Sequence, residues 1–284
     1  MKKRNMYLES FIDGIFQYIK LLLLPISFFI PILFDFKTKI EDLVDTSKTT
    51  ILEIKSIFLL FAIKSGNVLI GLTLFIIVLF IFRKYHAEQK LNMGNHYHNH
   101  TYVYYWMCSN ILGYKTCSLI LVPVFMQIKL ILKDTFSNFY YGEDSVYAED
   151  TENRISITKK NFENKENELI NIVISDTYLI EEERLPHLYN LNPTIFIIRE
   201  KINDSKTRVF SKALIDEINN QICSLQGEVK INLFATMNPK NIYYMTKLVF
   251  KKANRSNIAR LTVFTQSRGA SSDWTFDESG KKIF

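Results

Sequence analysis

SGNVLIGLTLFIIVLFIF, residues 65–82, runs for eighteen residues without a charge and is closed by Arg83 and Lys84. Wound as an α-helix it is about 27 Å long, close to the hydrocarbon thickness of a bilayer. A helix buried in a soluble domain rarely stays apolar on every side for so long. The stretch predicts a membrane span, and the rest of the chain is read around it.

Upstream, LLLLPISFFIPILF (21–34) is a second apolar run, interrupted by Pro25 and Pro31. Extending it back to Ile15 gives twenty residues and takes in Gln17 and Lys20. That extension is physically acceptable, because a lysine near a helix end can reach its ammonium to the headgroups. A signal peptide would show the same basic start (Lys2, Lys3, Arg4), yet Asp35 and Phe36 follow where a small-residue cleavage site belongs. Residues 1–82 are therefore expected to form a retained two-span hairpin in the lipid bilayer. The residues between the runs, 40–63, show helical spacing, so the hairpin is expected to reach beyond the bilayer.

Lysine and arginine flank the outer ends of the two runs (Lys2, Lys3, Arg4, Lys20; Arg83, Lys84, Lys90) slightly more densely than the connection. The bias points both termini to the cytoplasm. Three cysteines at wide spacing (Cys108, Cys117, Cys223) offer no disulfide framework and suit a reducing compartment. The expected location is the inner (cytoplasmic) membrane, multi-pass, with the C-terminal domain in the cytoplasm.

Across 284 residues, 48% hydrophobic and 23% charged residues exclude disorder for most of the chain. Nine glycines and six prolines exclude collagen-like and linker-rich readings. Nine basic residues against three acids lie between Pro239 and Phe284, equal to the whole chain's net charge of +6. A basic end of this kind can meet phosphate, anionic lipid or nucleic acid, or can simply be a solvated helix face.

Residues 83–140 form a membrane-proximal region rich in aromatic and histidine side chains. His96, His98 and His100 alternate, as three zinc-ligating imidazoles on one side of a strand would, and they also suit a polar loop at a headgroup boundary. Tyr97, Tyr102, Tyr104, Tyr105 and Trp106 around and after them are ring types favoured at membrane surfaces. Residues 117–132 read as a buried strand as far as Pro123, followed by a helix. Residues 141–168 are polar and are expected to be an exposed linker.

From 169 to 284 the pattern is α/β. Apolar runs at 170–175, 194–199, 229–235 and 259–265 read as strands. Helical spacing at 211–225, with Ser211 as a cap, and at 241–253 reads as helices. The alternation predicts a mostly parallel sheet with helices on it. Ligands of such sheets bind beyond the carboxyl ends of the strands. The residues there are Asp176, Thr177, Arg199, Thr236, Asn238, Lys240 and Asn241, the candidate ligand site. The last three begin a helix, where backbone N–H groups and a lysine can hold a phosphate, although Asn-Pro is also an ordinary helix start. The final residues, 267–284, are expected to be a hairpin or tail anchored by Trp274 and Phe276. No GxGxxG, P-loop, HExxH or GxSxG motif is present, and no cofactor is assigned.

Two front spans joined to an α/β domain, with LFATMNPKN (233–241) between a strand and a helix, resemble one bacterial group. These are the two-transmembrane effectors of antiphage defence whose SAVED domain, related to the CRISPR-associated Rossmann fold, binds cyclic oligonucleotides. The resemblance is architectural, covers residues 170–265, and that region is short for a complete two-lobed SAVED domain. It implies a nucleotide signal that drives self-association and hairpins that disrupt the inner membrane. Two other readings stay open. One is a membrane-tethered enzyme acting on a nucleotide or phosphorylated substrate with Asp176 as base; the other is a non-catalytic membrane protein whose basic end binds nucleic acid or anionic lipid.

Overall fold

A computed structural model describes residues 6–43, 54–149, 154–163, 168–189, 191–200, 208–225, 227–251, 258–268 and 274–284. Several sequence expectations lie outside these residues: part of the connection between the spans (44–53), parts of the polar stretch (150–153 and 164–167), and the basic residues Lys252 and Arg255. The chain forms two compact units, residues 1–116 and 117–284.

In the first unit α1 (Met6–Leu33), α2 (Phe36–Leu43) and α3 (Ile54–His86) build the hairpin. Gly14–Leu33 and Gly66–His86 are long and apolar enough to cross a membrane. At about 30 Å each they match the hydrocarbon core. Their apolar side chains mostly face outward, as with Phe16, Leu22, Phe29, Phe80 and Ile81.

The two spans stop at the same joint. Gly66 interrupts α3 with φ 75° and ψ 173°, a region open in practice only to glycine. The next residue, Asn67, donates from Nδ2 to Asp35 Oδ1 at 2.6 Å and accepts the Lys37 N–H at 2.8 Å. Thr38 Oγ1 donates to the other Asp35 oxygen at 2.6 Å, and these bonds hold the Asp35 carboxyl below the usual aspartate range. Gly66→Ala places a Cβ in open space, so its cost is backbone strain alone. Melting of the detergent-solubilised chain should show a loss of about 1–3 kcal/mol.

Beyond α3 come the short strand β1 (Lys90–Leu91) and α4 (Tyr102–Asn110), whose N-cap Thr101 accepts from the Tyr104 N–H. The short strand β2 (Thr116–Ser118) stands at the unit boundary.

The second unit opens with α5 (Val124–Leu132), after the expected break at Pro123, and β3 (Asn138–Tyr140). Strand β4 (Tyr147–Glu149) pairs in parallel with β8 (Arg208–Phe210). The main sheet holds β5 (Ile155–Lys160), β6 (Leu169–Ser175), β7 (Thr194–Arg199), β9 (Val229–Thr236), β10 (Ile258–Phe264) and β13 (Lys281–Lys282) in the order β13-β10-β9-β6-β7-β5.

Helix α6 (Lys212–Cys223) follows β8, with Ser211 Oγ accepting from the Leu214 N–H as expected of a cap. Helix α7 (Pro239–Met245) follows β9 and runs into a π-helical turn, Thr246–Lys251. Strands β11 (Gln266–Arg268) and β12 (Trp274–Phe276) form an antiparallel hairpin. Phe276 is buried, as its anchoring role requires.

The sheet is mixed rather than mostly parallel. Its four central strands are parallel, but β13 and β5 run antiparallel along its two edges. Strand β5 lies inside the stretch expected to be an exposed linker. Its sequence, ISITKK, has too few apolar residues to announce a buried strand, and as an edge strand it needs only one paired side. Lys159 and Lys160 on one edge and Lys281 and Lys282 on the other discourage further strand addition.

One sheet face buries Ile172, Ile174, Leu233 and Val263 in a core with Leu214 and Ile218 of α6 and Ile242 and Met245 of α7. The other face stacks Phe234 on Phe264 and is covered by Ile180 and Leu185 of the β6–β7 connection and by Phe276. At the amino end of that face Asn232 Nδ2 donates to Asn171 Oδ1, and Asn171 Nδ2 donates to the Tyr189 carbonyl and to Thr194 Oγ1. This buried chain of amides favours one register of β6, β7 and β9, since a one-residue slip would strand the polar groups.

Candidate functional site

Strand order decides where a crevice belongs. From β6 the chain crosses to β7 on one side, then returns past β6 to β9 and continues outward to β10. The point of reversal lies between β6 and β9. In open α/β sheets ligands bind outside the strand ends at such a switch point.

The candidate residues meet there. Asp176 follows β6, Arg199 ends β7, Thr236 ends β9, and Asn238 caps α7 by accepting the Asn241 N–H. Asp176 is fully buried and bonded at every face. Its Oδ1 accepts from Arg199 Nε at 2.9 Å. Its Oδ2 accepts from Asn241 Nδ2 at 2.8 Å, Asn238 Nδ2 at 3.3 Å and the Asn238 N–H at 3.4 Å. A second guanidinium nitrogen of Arg199 donates to the Asp176 carbonyl at 2.8 Å. Burial pushes the Asp176 carboxyl above the ordinary aspartate range, against the downward pull of Asn241 and Arg199.

The Thr236 carbonyl accepts from the Asp176 N–H, the Thr177 N–H and Thr177 Oγ1 at 2.8–3.1 Å. Thr236 Oγ1 donates to the Tyr178 carbonyl at 2.6 Å. The amides of Asn238 and Asn241 both donate to the Val209 carbonyl, which ties β8 to the same centre. Six of the seven expected site residues therefore form one bonded floor. Its carboxylate has its lone pairs committed and is poorly placed to take a proton from a substrate.

Lys240, the seventh, points elsewhere. Its ammonium lies 4.9 Å from the Phe210 ring centre, 5.0 Å from Tyr147 and 5.8 Å from Tyr141, and it pairs with Asp144 at 2.7 Å. Burial, and for Tyr141 a bond with Tyr244, keeps both phenols above their ordinary range, so the box stays neutral. Lys240 is only 13% exposed whereas Asp144 is 82% exposed. Melting should therefore separate the two contributions: Lys240→Ala costs about 1–2 kcal/mol and Asp144→Asn under about 0.5.

The alternating histidines sit in the first unit. The His96 and His98 rings lie 4.3 Å apart, but His98 and His100 are 6.4 Å apart, and His100 stacks on Tyr104 at 4.1 Å. Among the described residues no group of three or more His, Cys, Asp or Glu side chains is arranged to hold a metal. Stacking on a buried tyrosine is a packing role that alternation in sequence cannot distinguish from ligation.

Sequence reading missed Tyr178. The residue directly follows Thr177, is 56% exposed, and has its carbonyl fixed by Thr236 Oγ1. The signal was an aromatic residue two positions past a buried Asp.

The fold and site define a two-span membrane protein that carries an α/β domain with a switch-point cluster. A family model described as the SMODS- and Ubiquitin system-associated 2TM effector domain matches residues 1–280, and the chain belongs to that family. No curated protein matches. Among solved structures, the SAVED/CARF-domain receptor Cap4 of Acinetobacter baumannii, determined with the cyclic trinucleotide 3'3'3'-cAAA, is similar over 64% of this chain and 41% of that one. Identity is 9% and the TM-score 0.38. The chain thus spans less than half the length of that receptor.

Proposed function

We propose that this chain is a bacterial membrane effector of antiphage signalling whose α/β domain, within residues 117–284, lies in the cytoplasm of an inner-membrane protein. The domain binds a nucleotide-like ligand outside the carboxyl ends of β6 and β9. The observation that carries this reading is the convergence of Asp176, Thr177, Thr236, Asn238 and Asn241 at the switch point. The family's description as a 2TM effector supports a role at the membrane. The basic outer flanks of the spans support the orientation.

In this reading the bonded floor holds the strand ends rigid, and the ligand rests above it against Thr177 and the Tyr178 ring, a natural stacking surface for a base. Binding promotes self-association, which brings hairpins together in the bilayer. The committed lone pairs of Asp176 favour binding over catalysis. Titration of the full chain in detergent with mono-, di- and cyclic nucleotides tests the reading. One class should raise the melting midpoint, and Tyr178→Ala should weaken that ligand at least about tenfold without altering the unliganded midpoint. No response to any class would remove the nucleotide from the account.

A further inference from the structure

Helix α4 has an inverted character for a helix at a protein surface. Its inner side carries Tyr104, Tyr105 and Cys108, all fully buried. Its outer side, at helical spacing, carries Val103, Trp106, Met107 and Asn110. Val103 is 61% exposed and Trp106 is 46% exposed. A surface helix in water would place charged or polar groups along that side, and here it places a valine, a tryptophan and a methionine.

The position of α4 along the hairpin explains the choice. At its amino end the Tyr104 ring lies 5.6 Å from Tyr18, which is inside the first span. At its carboxyl end the Asn110 carbonyl accepts from Arg83 of the second span at 2.6 Å. A nine-residue helix is about 13.5 Å long, enough to lie across two helices whose axes are about 8–10 Å apart. Gly113 continues this close fit, since a Cβ there would fall 2.8 Å from Arg83 Cα. Helix α4 thus lies across the ends of both spans at the level of residues 18 and 83.

The surroundings match a membrane interface. Tyr85, at the end of the second span, is 63% exposed, and Met93 and Tyr97 are exposed nearby in sequence. Between residues 83 and 116, Arg83, Lys84, Lys90 and Lys115 are exposed, against the acid Glu88. Aromatic rings beside lysine and arginine are what the boundary between headgroups and acyl chains selects.

We propose that α4 is an interfacial helix, with Val103, Trp106 and Met107 inserted at the headgroup–acyl boundary and the neighbouring cations on anionic headgroups. The surface it adds is continuous with the lipid-facing surface of the spans, so its occupant is the bilayer. The inference rests on the two-span anchor and is independent of any nucleotide ligand and of membrane orientation.

Trp106 provides the probe, because the chain has only one other tryptophan, Trp274. The full chain carrying Trp274→Phe is reconstituted in vesicles of mixed neutral and anionic lipid, with nitroxide labels either near the headgroup or near the bilayer centre. Trp106 emission should be quenched about twofold more by the shallow label than by the deep one, and weakly by aqueous iodide. Strong iodide quenching with no lipid quenching would overturn the proposal, as would protection from both, the signature of a covering protein surface. If Trp274→Phe does not fold, the difference between the unmodified chain and Trp106→Phe gives the same reading.

Discussion

Arg199→Ala is expected to lower the melting midpoint of the chain by roughly 10 °C, the equivalent of about 3–5 kcal/mol. The effect does not come from a lost surface contact. Asp176 is wholly buried, and among the described residues Arg199 is the cation that pairs with it, bonded to both its carboxylate and its carbonyl. Removing the guanidinium leaves a carboxylate that burial already penalises, held only by neutral amides. Protonation of Asp176 would partly relieve this, so the deficit of the variant should shrink as pH falls toward the acid range. Replacing both partners together, Arg199→Met with Asp176→Leu, should cost less than Arg199→Ala alone, because no orphaned charge remains. If Arg199→Ala melts like the unmodified chain, the cluster is not the structural floor described here.

The second large effect is expected inside the hairpin. Gly71 faces Phe28 so closely that a Cβ would stand 2.3 Å from the Phe28 carbonyl oxygen. That atom belongs to backbone and cannot swing away. Small residues at such points are what lets membrane helices meet. Gly71→Ala should therefore cost about 1–3 kcal/mol in the detergent-solubilised chain, and Gly71→Leu more. Both should leave any nucleotide affinity of the α/β domain unchanged, which separates damage to the spans from damage to the ligand site. Substitution without effect on melting would mean that the helices do not meet at this point.

Much of the fold was legible in sequence, and for identifiable reasons. The spans stand out because Gly66–His86 and Gly14–Leu33 are apolar for longer than a soluble core requires. The central strands and α6 stand out because burial on both faces makes continuous apolar runs, as in INIVIS and TIFIIR. The edges do not announce themselves. Strand β5 shares its composition with loops, and β13 is two lysines whose neighbour Ile283 supplies the burial.

The site was legible as a list of positions and not as an arrangement. The α/β alternation puts Asp176, Arg199, Thr236, Asn238 and Asn241 at strand ends. Nothing in the linear pattern says that they satisfy one another. Lys240 sits next to Asn241 and two positions from Asn238 and still turns into an aromatic box, because Tyr141, Tyr147 and Phe210 come from distant parts of the chain. The histidines illustrate the same limit: their alternation suggests ligation and does not announce that His100 stacks on Tyr104.

The central claim is that a ligand bound by the α/β domain alters the membrane through the two spans. The measurement that tests it most directly is dye release from vesicles carrying the full chain, with each nucleotide class added outside or inside. Release should occur only with the class that raises the melting midpoint, only when it is added on the side that the α/β domain faces, and should be lost in Gly71→Leu. Tight nucleotide binding with no change in release, or release that is the same with and without nucleotide, would contradict it.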